Sequence, residues 1–348
     1  MPASSASNRR SIGISRQFIG FGVCNTCGAA PNVDLKLTIF RKTWKRNVTD
    51  LRYRALLKRY FSFTNDVFNM PARILAAPFI IGALLFLFLT WEVDGRYSWW
   101  IIPWVIALAV VFTLSPQINW WWYQRYPPDL NTGLRKMLER FSPYYQRLSK
   151  EEQLRFRQRM ALYQEANDFM GKGIEDVPAD LKAVAAACAV QLTFGKEDFL
   201  LSPFEHIIFF PQPFPSPQYP ENYHASEIYE EDGAVLFSAE QLMKGFLEPG
   251  AYYNIGLHEY AKAFERVDAQ QEFPPLGEGH WEELEQISGF SYPAIQQWIN
   301  LDPIPLRPVS ITLFFTFPDR FREVCPKLYA AYARIFNQSP AVGEVLNA

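Results

Sequence analysis

The residues with the most evident chemistry lie in one short run, Asn254-Ile-Gly-Leu-His258-Glu259-Tyr260-Ala261-Lys262. In the metal-binding helix pattern H-E-x-x-H, two histidines four residues apart share one helical face and bind zinc. The glutamate after the first histidine activates the metal-bound water. His258 and Glu259 fill the first two positions, and Lys262 stands where the second histidine would be. An ammonium has no lone pair to donate to a metal. A bare His-Glu pair is a weak signal, so its weight depends on what surrounds it.

The surrounding elements can be read from caps and periodicity. A helix is expected from about Tyr253 to Val267. Before it, Ala234 to Phe237 reads as a short strand, and Ser238 with Gln241 reads as a capping box opening a helix that ends between Gly245 and Gly250. Further upstream, Ser149-Lys-Glu-Glu152 is a capping box opening a helix towards Gly171. Leu181 to Phe194 is an apolar helical run stopped by Gly195, with Cys188 in it as a small core residue. His206-Ile-Ile-Phe-Phe210 is a strand closed by Pro211. Together these predict an α+β domain over residues 130–340, mostly helical with a small sheet.

The segment Val235-Leu-Phe-Ser-Ala-Glu-Gln-Leu-Met-Lys-Gly245, followed after eight residues by Asn254 to Glu265, resembles the catalytic segment of the Mlc titration factor peptidases. There a strand and a serine-capped helix precede the pattern Asn-x-x-L-H-E-F-A-H-x-L-D. Leu134–Leu148, Val177–Gly195 and His206–Phe214 match that family's upstream elements. Trp281-Glu-Glu-Leu, Leu313-Phe-Phe-Thr-Phe-Pro318 and Pro326-Lys-Leu-Tyr-Ala-Ala-Tyr match its C-terminal helices. The resemblance implies a zincin-like domain and zinc-dependent, aminopeptidase-type activity. The family's founding member also binds a transcriptional repressor of sugar uptake.

Carried over by position, His258 is a vestigial first zinc ligand and Glu259 a vestigial general base. Lys262 occupies the second ligand position and should not bind metal. The family's third ligand is a glutamate in an N-P-A-E-F-F-A segment. The corresponding interval here, Leu301-Asp-Pro-Ile-Pro-Leu-Arg-Pro-Val-Ser-Ile-Thr312, holds no glutamate or histidine, and Asp302 is its only carboxylate. His280 is the best substitute by position but reads as a helix-start residue. His206 reads as a strand residue and His224 as a solvated loop residue. The Lys262 ammonium is expected to take roughly the place of the lost cation and to pair with a carboxylate such as Glu259.

The N-terminal part has a different character. The net charge of -2 gives no indication of nucleic acid binding, and much of the tryptophan is crowded between Trp91 and Trp122. Residues 1–40 read as a disordered arm without a continuous apolar run of the kind that marks a signal peptide. Cys24 and Cys27 supply two thiolates where a structural zinc site needs four ligands. Four cysteines do not imply a disulfide scaffold.

Residues 41–73 are basic, with Arg41, Lys42, Lys45, Arg46, Arg52, Arg54, Lys58, Arg59 and Arg73, a stretch that can also dock on anionic lipid. Residues 74–123 then predict a transmembrane hairpin. Its uncharged runs are Ile74–Thr90 and Trp99–Leu114, flanked by aromatic residues suited to the membrane interface. The turn between the runs carries only Arg96, whereas Arg125, Arg135, Lys136, Arg140 and Arg147 follow the second. The positive-inside rule places both ends, and the soluble domain, in the cytoplasm. An integral protein of the cytoplasmic membrane is therefore expected.

Two of three zinc ligands are missing, so the expectation is a catalytically inactive binding or regulatory module on the membrane. No cofactor is expected, and the partners are the bilayer and a protein or peptide, not nucleic acid. Two alternatives remain. One is an active zinc peptidase with atypical ligands, the only case that requires zinc. The other is a structural subunit whose hairpin packs with other membrane proteins.

Overall fold

A computed structural model describes residues 71–346. The N-terminal arm, the Cys24/Cys27 pair and every basic residue of the juxtamembrane stretch except Arg73 lie outside the described residues.

Helix α1 (Pro71–Glu92) starts on a proline, whose fixed φ suits a first turn. A 3-10 turn at Gly95–Trp100 follows, with the Asp94 side chain accepting the Arg96 N–H at 2.9 Å. Helix α2 (Ile101–Thr113) then returns along α1. Phe79 and Phe86 each meet Trp104, at ring-centroid distances of 6.3 and 6.2 Å. Pro71–Glu92 and Gly95–Thr113, 22 and 19 residues, are each long and apolar enough to cross a membrane. Only 6% of either segment is buried, which separates them from core helices, and Ile81 and Phe88 are 67% and 61% exposed. Helix α3 (Ser115–Arg125) holds the base of the hairpin, since its Asn119 accepts the Ala72 N–H at 3.0 Å.

The remainder is mostly helical around a four-stranded mixed sheet. Helices α4 (Thr132–Phe141), α5 (Pro143–Arg147) and α6 (Lys150–Ala166) come first. The predicted Ser149 capping box opens α6: the Glu152 N–H donates to Ser149 Oγ at 3.3 Å, and the Ser149 N–H donates to Glu152 Oε2 at 3.0 Å. The helix stops at Ala166 rather than running to Gly171. Asp168–Gly171 instead forms strand β1, which pairs in parallel with β2 (His206–Phe210). Helix α7 (Ala179–Thr193) lies between them in sequence and is buried from Ala183 to Thr193, apolar on nearly all sides as a central helix must be.

Strand β3 (Ser226–Tyr229) was not apparent from the sequence; it is too short to show alternation. It pairs antiparallel with β4 (Ala234–Ser238), giving the order β1-β2-β4-β3. Helix α8 (Ala239–Leu247) follows β4. The capping box expected at its start does not form. Ser238 makes no cap hydrogen bond, and the Gln241 amide donates instead to the Trp298 carbonyl at 2.7 Å.

Helices α9 (Ile255–Val267), α10 (His280–Ser288), α11 (Tyr292–Ile299), α12 (Leu306–Thr316), α13 (Pro318–Val324) and α14 (Pro326–Phe336) complete the body. A small β5–β6 pair (Gln338–Ser339, Glu344–Val345) closes it. Helix α9 is packed among α7, α12 and the edge strand β3. The run singled out in the sequence therefore lies at the centre of the molecule.

Candidate functional site

The sequence starts α9 at a defined point. Asn254 caps it, its Oδ1 accepting the Leu257 N–H at 3.0 Å. Gly256 sits where a side chain would collide: a Cβ there would lie 2.7 Å from Cys188 Sγ on α7 and 2.8 Å from Leu242 Cδ1 on α8. Cys188 is buried as expected, and burial pushes its thiol up to about 12, so it is an inert core group.

His258 and Glu259, on the next turn, are 1% and 0% exposed. The Tyr253 hydroxyl lies 2.8 Å from His258 Nδ1 and fixes the ring. Burial holds the His258 imidazole down to about 4, with the Lys262 charge adding to the effect and the Glu259 charge opposing it. The ring is therefore neutral at physiological pH. Tyr253 is itself buried, which raises its phenol, and the Thr312 hydroxyl of α12 works against that rise.

Glu259 is held from two sides. Ser226 Oγ on β3 donates to Oε1 at 2.8 Å. Lys262 Nζ lies 2.7 Å from Oε2 as an ion pair, off the hydrogen-bonding direction, so Oε2 is met by charge rather than by a directed hydrogen bond. The expected pairing of Lys262 with Glu259 is thus present. Ser226 and Tyr253 were missed from sequence. Tyr253 had a faint signal as the residue just before the cap, and Ser226 had none, being brought in by the sheet.

The remaining sequence candidates are dispersed. Asp302 accepts from the Tyr292 hydroxyl at 2.7 Å. His206 is a strand residue, with Nδ1 3.6 Å from Asp168 Oδ2 on β1. His280 opens α10, its Nδ1 accepting the Gly277 N–H at 3.1 Å. His224 corrects the expectation of a solvated loop residue, being wholly buried. A backbone bridge to Phe214 folds its loop back, Phe214 and Tyr219 pack on the ring, and Nε2 lies 3.0 Å from Glu227 Oε2.

Among the described residues, no three His, Cys, Asp or Glu side chains are placed to hold a metal ion. The donor chemistry around His258 agrees. Catalytic zinc takes three protein ligands, and here one imidazole stands beside a carboxylate already matched to an ammonium at 2.7 Å. These residues do not fit zinc.

Residues 118–283 match the family model described as Glucose-regulated metallo-peptidase M90. Over that segment, from α3 into α10, the chain is similar to this metallopeptidase family, that of the Mlc titration factor peptidases. The matched segment includes His258, Glu259 and Lys262 and ends before the 301–312 interval. No curated protein matches the chain.

Proposed function

We propose that the chain is a membrane-anchored member of this metallopeptidase family that binds a partner instead of hydrolysing peptides. The observation that carries this is the Lys262 ammonium seated 2.7 Å from the Glu259 carboxylate. In a working site that carboxylate takes a proton from metal-bound water. Here its charge is matched by a side chain of the same helix, at the position where the family has a metal-binding imidazole. The helix is nonetheless retained in full, capped, buried and packed against a mixed sheet, which supports a zincin-like scaffold kept for recognition. The exposed apolar hairpin supports anchoring in a bilayer, with both ends on the cytoplasmic side as the loop charges favour.

The test is peptide hydrolysis by the purified full chain in detergent, with and without a chelator, beside Glu259→Gln. No chelator-sensitive hydrolysis is expected, and Glu259→Gln leaves any background unchanged. Hydrolysis abolished by both would establish an active peptidase with atypical ligands.

A further inference from the structure

Helix α1 has 22 residues. At a rise of 1.5 Å per residue it is about 33 Å long, close to the roughly 30 Å of a bilayer's hydrocarbon core. Where α1 crosses that core, Pro71 stands at one boundary, and the run Gly95–Thr113 returns the chain to the same boundary. Helix α3 (Ser115–Arg125) begins after Leu114 alone. The Ala72 N–H, in the first turn of α1, donates to Asn119 Oδ1 at 3.0 Å, which fixes the middle of α3 at the depth of that turn.

With 11 residues, about 17 Å, α3 is too short to cross. It mixes Gln117, Asn119, Gln124 and Arg125 with Trp120, Trp121, Trp122 and Tyr123. Tryptophan and tyrosine join an apolar ring to a polar N–H or O–H, and they collect where hydrocarbon meets headgroups. The aromatic end of α3 is uncovered: Trp121 and Tyr126 are 66% and 59% exposed. The Tyr126 ring lies 4.7 Å from that of the exposed Trp122. Such a patch marks an interaction surface. This one adjoins the base of the hairpin, so the bilayer that takes the hairpin reaches it. The soluble domain is tied to the same place, since α3 packs on α6 as well as on α1, and Arg157 Nε of α6 lies 3.6 Å from Asp129 Oδ1, just past α3.

We infer that α3 is an interfacial helix seated in the phospholipid headgroup layer, a third membrane contact beyond the two spans. Trp121, Trp122 and Tyr126 place their rings between headgroups and acyl chains, and the soluble domain begins at the bilayer surface. The inference rests on the proposed hairpin spanning a bilayer and deepens that reading by naming what covers the aromatic face of α3.

The experiment uses the full chain in phosphatidylcholine nanodiscs. A small environment-sensitive fluorescent amino acid replaces Trp121 or Tyr126, and, as a span reference, Ile81 in the middle of α1. Nitroxide lipids carry the quencher on the headgroup, high on the acyl chain, or at the chain end. Positions 121 and 126 lose most fluorescence to the headgroup and upper-chain nitroxides and least to the chain-end one, and position 81 shows the reverse order. Two exposed positions are used so that a folding failure at one leaves the other to decide. If position 81 does not lose most to the chain-end nitroxide, the hairpin reading fails and the inference with it. If position 81 behaves as expected but 121 and 126 show no lipid quenching, the inference alone is overturned, whether those positions are open to aqueous iodide or shielded from it by a second copy or a protein. Quenching of 121 and 126 mainly from the chain end would also overturn it, because α3 would then belong to a span.

Discussion

Glu259 is a fully buried carboxylate with one hydrogen bond from Ser226 and one ion pair from Lys262. Removing one member of such a pair strands the other. Lys262→Met should lower the unfolding free energy by about 2–4 kcal/mol, reduced from a fully buried pair because Lys262 is partly exposed. Adding Glu259→Gln should recover part of that loss. A double-mutant cycle in urea measures the coupling, and simple additivity would contradict it. Lys262→His alone should not produce zinc-dependent hydrolysis, because the 301–312 interval still supplies no glutamate or histidine. His258 sets a pH dependence. Its ordinary pKa of 6.5 falls to about 4 on burial. Below pH 6.5 the unfolded chain binds a proton that the folded chain refuses, so stability falls as pH drops from about 6.5 towards 4. Urea midpoints at pH 7.5 and 5 should differ more for the native chain than for His258→Asn; an equal difference would refute this origin.

At the scale of elements, α9 depends on close approach to α7 and α8 at Gly256. Gly256→Ala should cost about 1–3 kcal/mol by overpacking against Cys188 and Leu242, read as a lowered thermal midpoint. An unchanged midpoint would show that the neighbours yield. The same locality decides what could be read from sequence. The Ser149–Glu152 box is a contact within one turn, and it is present. The Ser238 box was equally plausible locally, but a carbonyl 57 residues away takes the Gln241 amide. Strands β1 and β3, four residues each, owe their state to pairing with β2 and β4, which no local pattern displays. His224 sits in a proline-rich loop that reads as exposed, and only the bridge to Phe214 reveals its burial. Of the site, the α9 residues were legible because one helix presents them. Ser226 on β3 and the Glu227–His224 pair were not, because tertiary contacts bring them together.

At the scale of the whole molecule, a hairpin with exposed apolar faces is joined to a domain that is similar, over residues 118–283, to a metallopeptidase family. The full chain should stay with membranes through an alkaline carbonate wash. Protease added to inside-out vesicles, but not to intact cells, should digest the soluble part; the reverse pattern would invert the proposed topology. The domain keeps the metal-motif helix at its centre and answers the buried glutamate with a lysine. The most direct test of that claim is elemental analysis of the full chain, purified without chelators and then equilibrated with zinc. The account predicts zinc far below one ion per chain, with no change in Glu259→Gln. Zinc at close to one ion per chain, lost on His258→Ala, would contradict it.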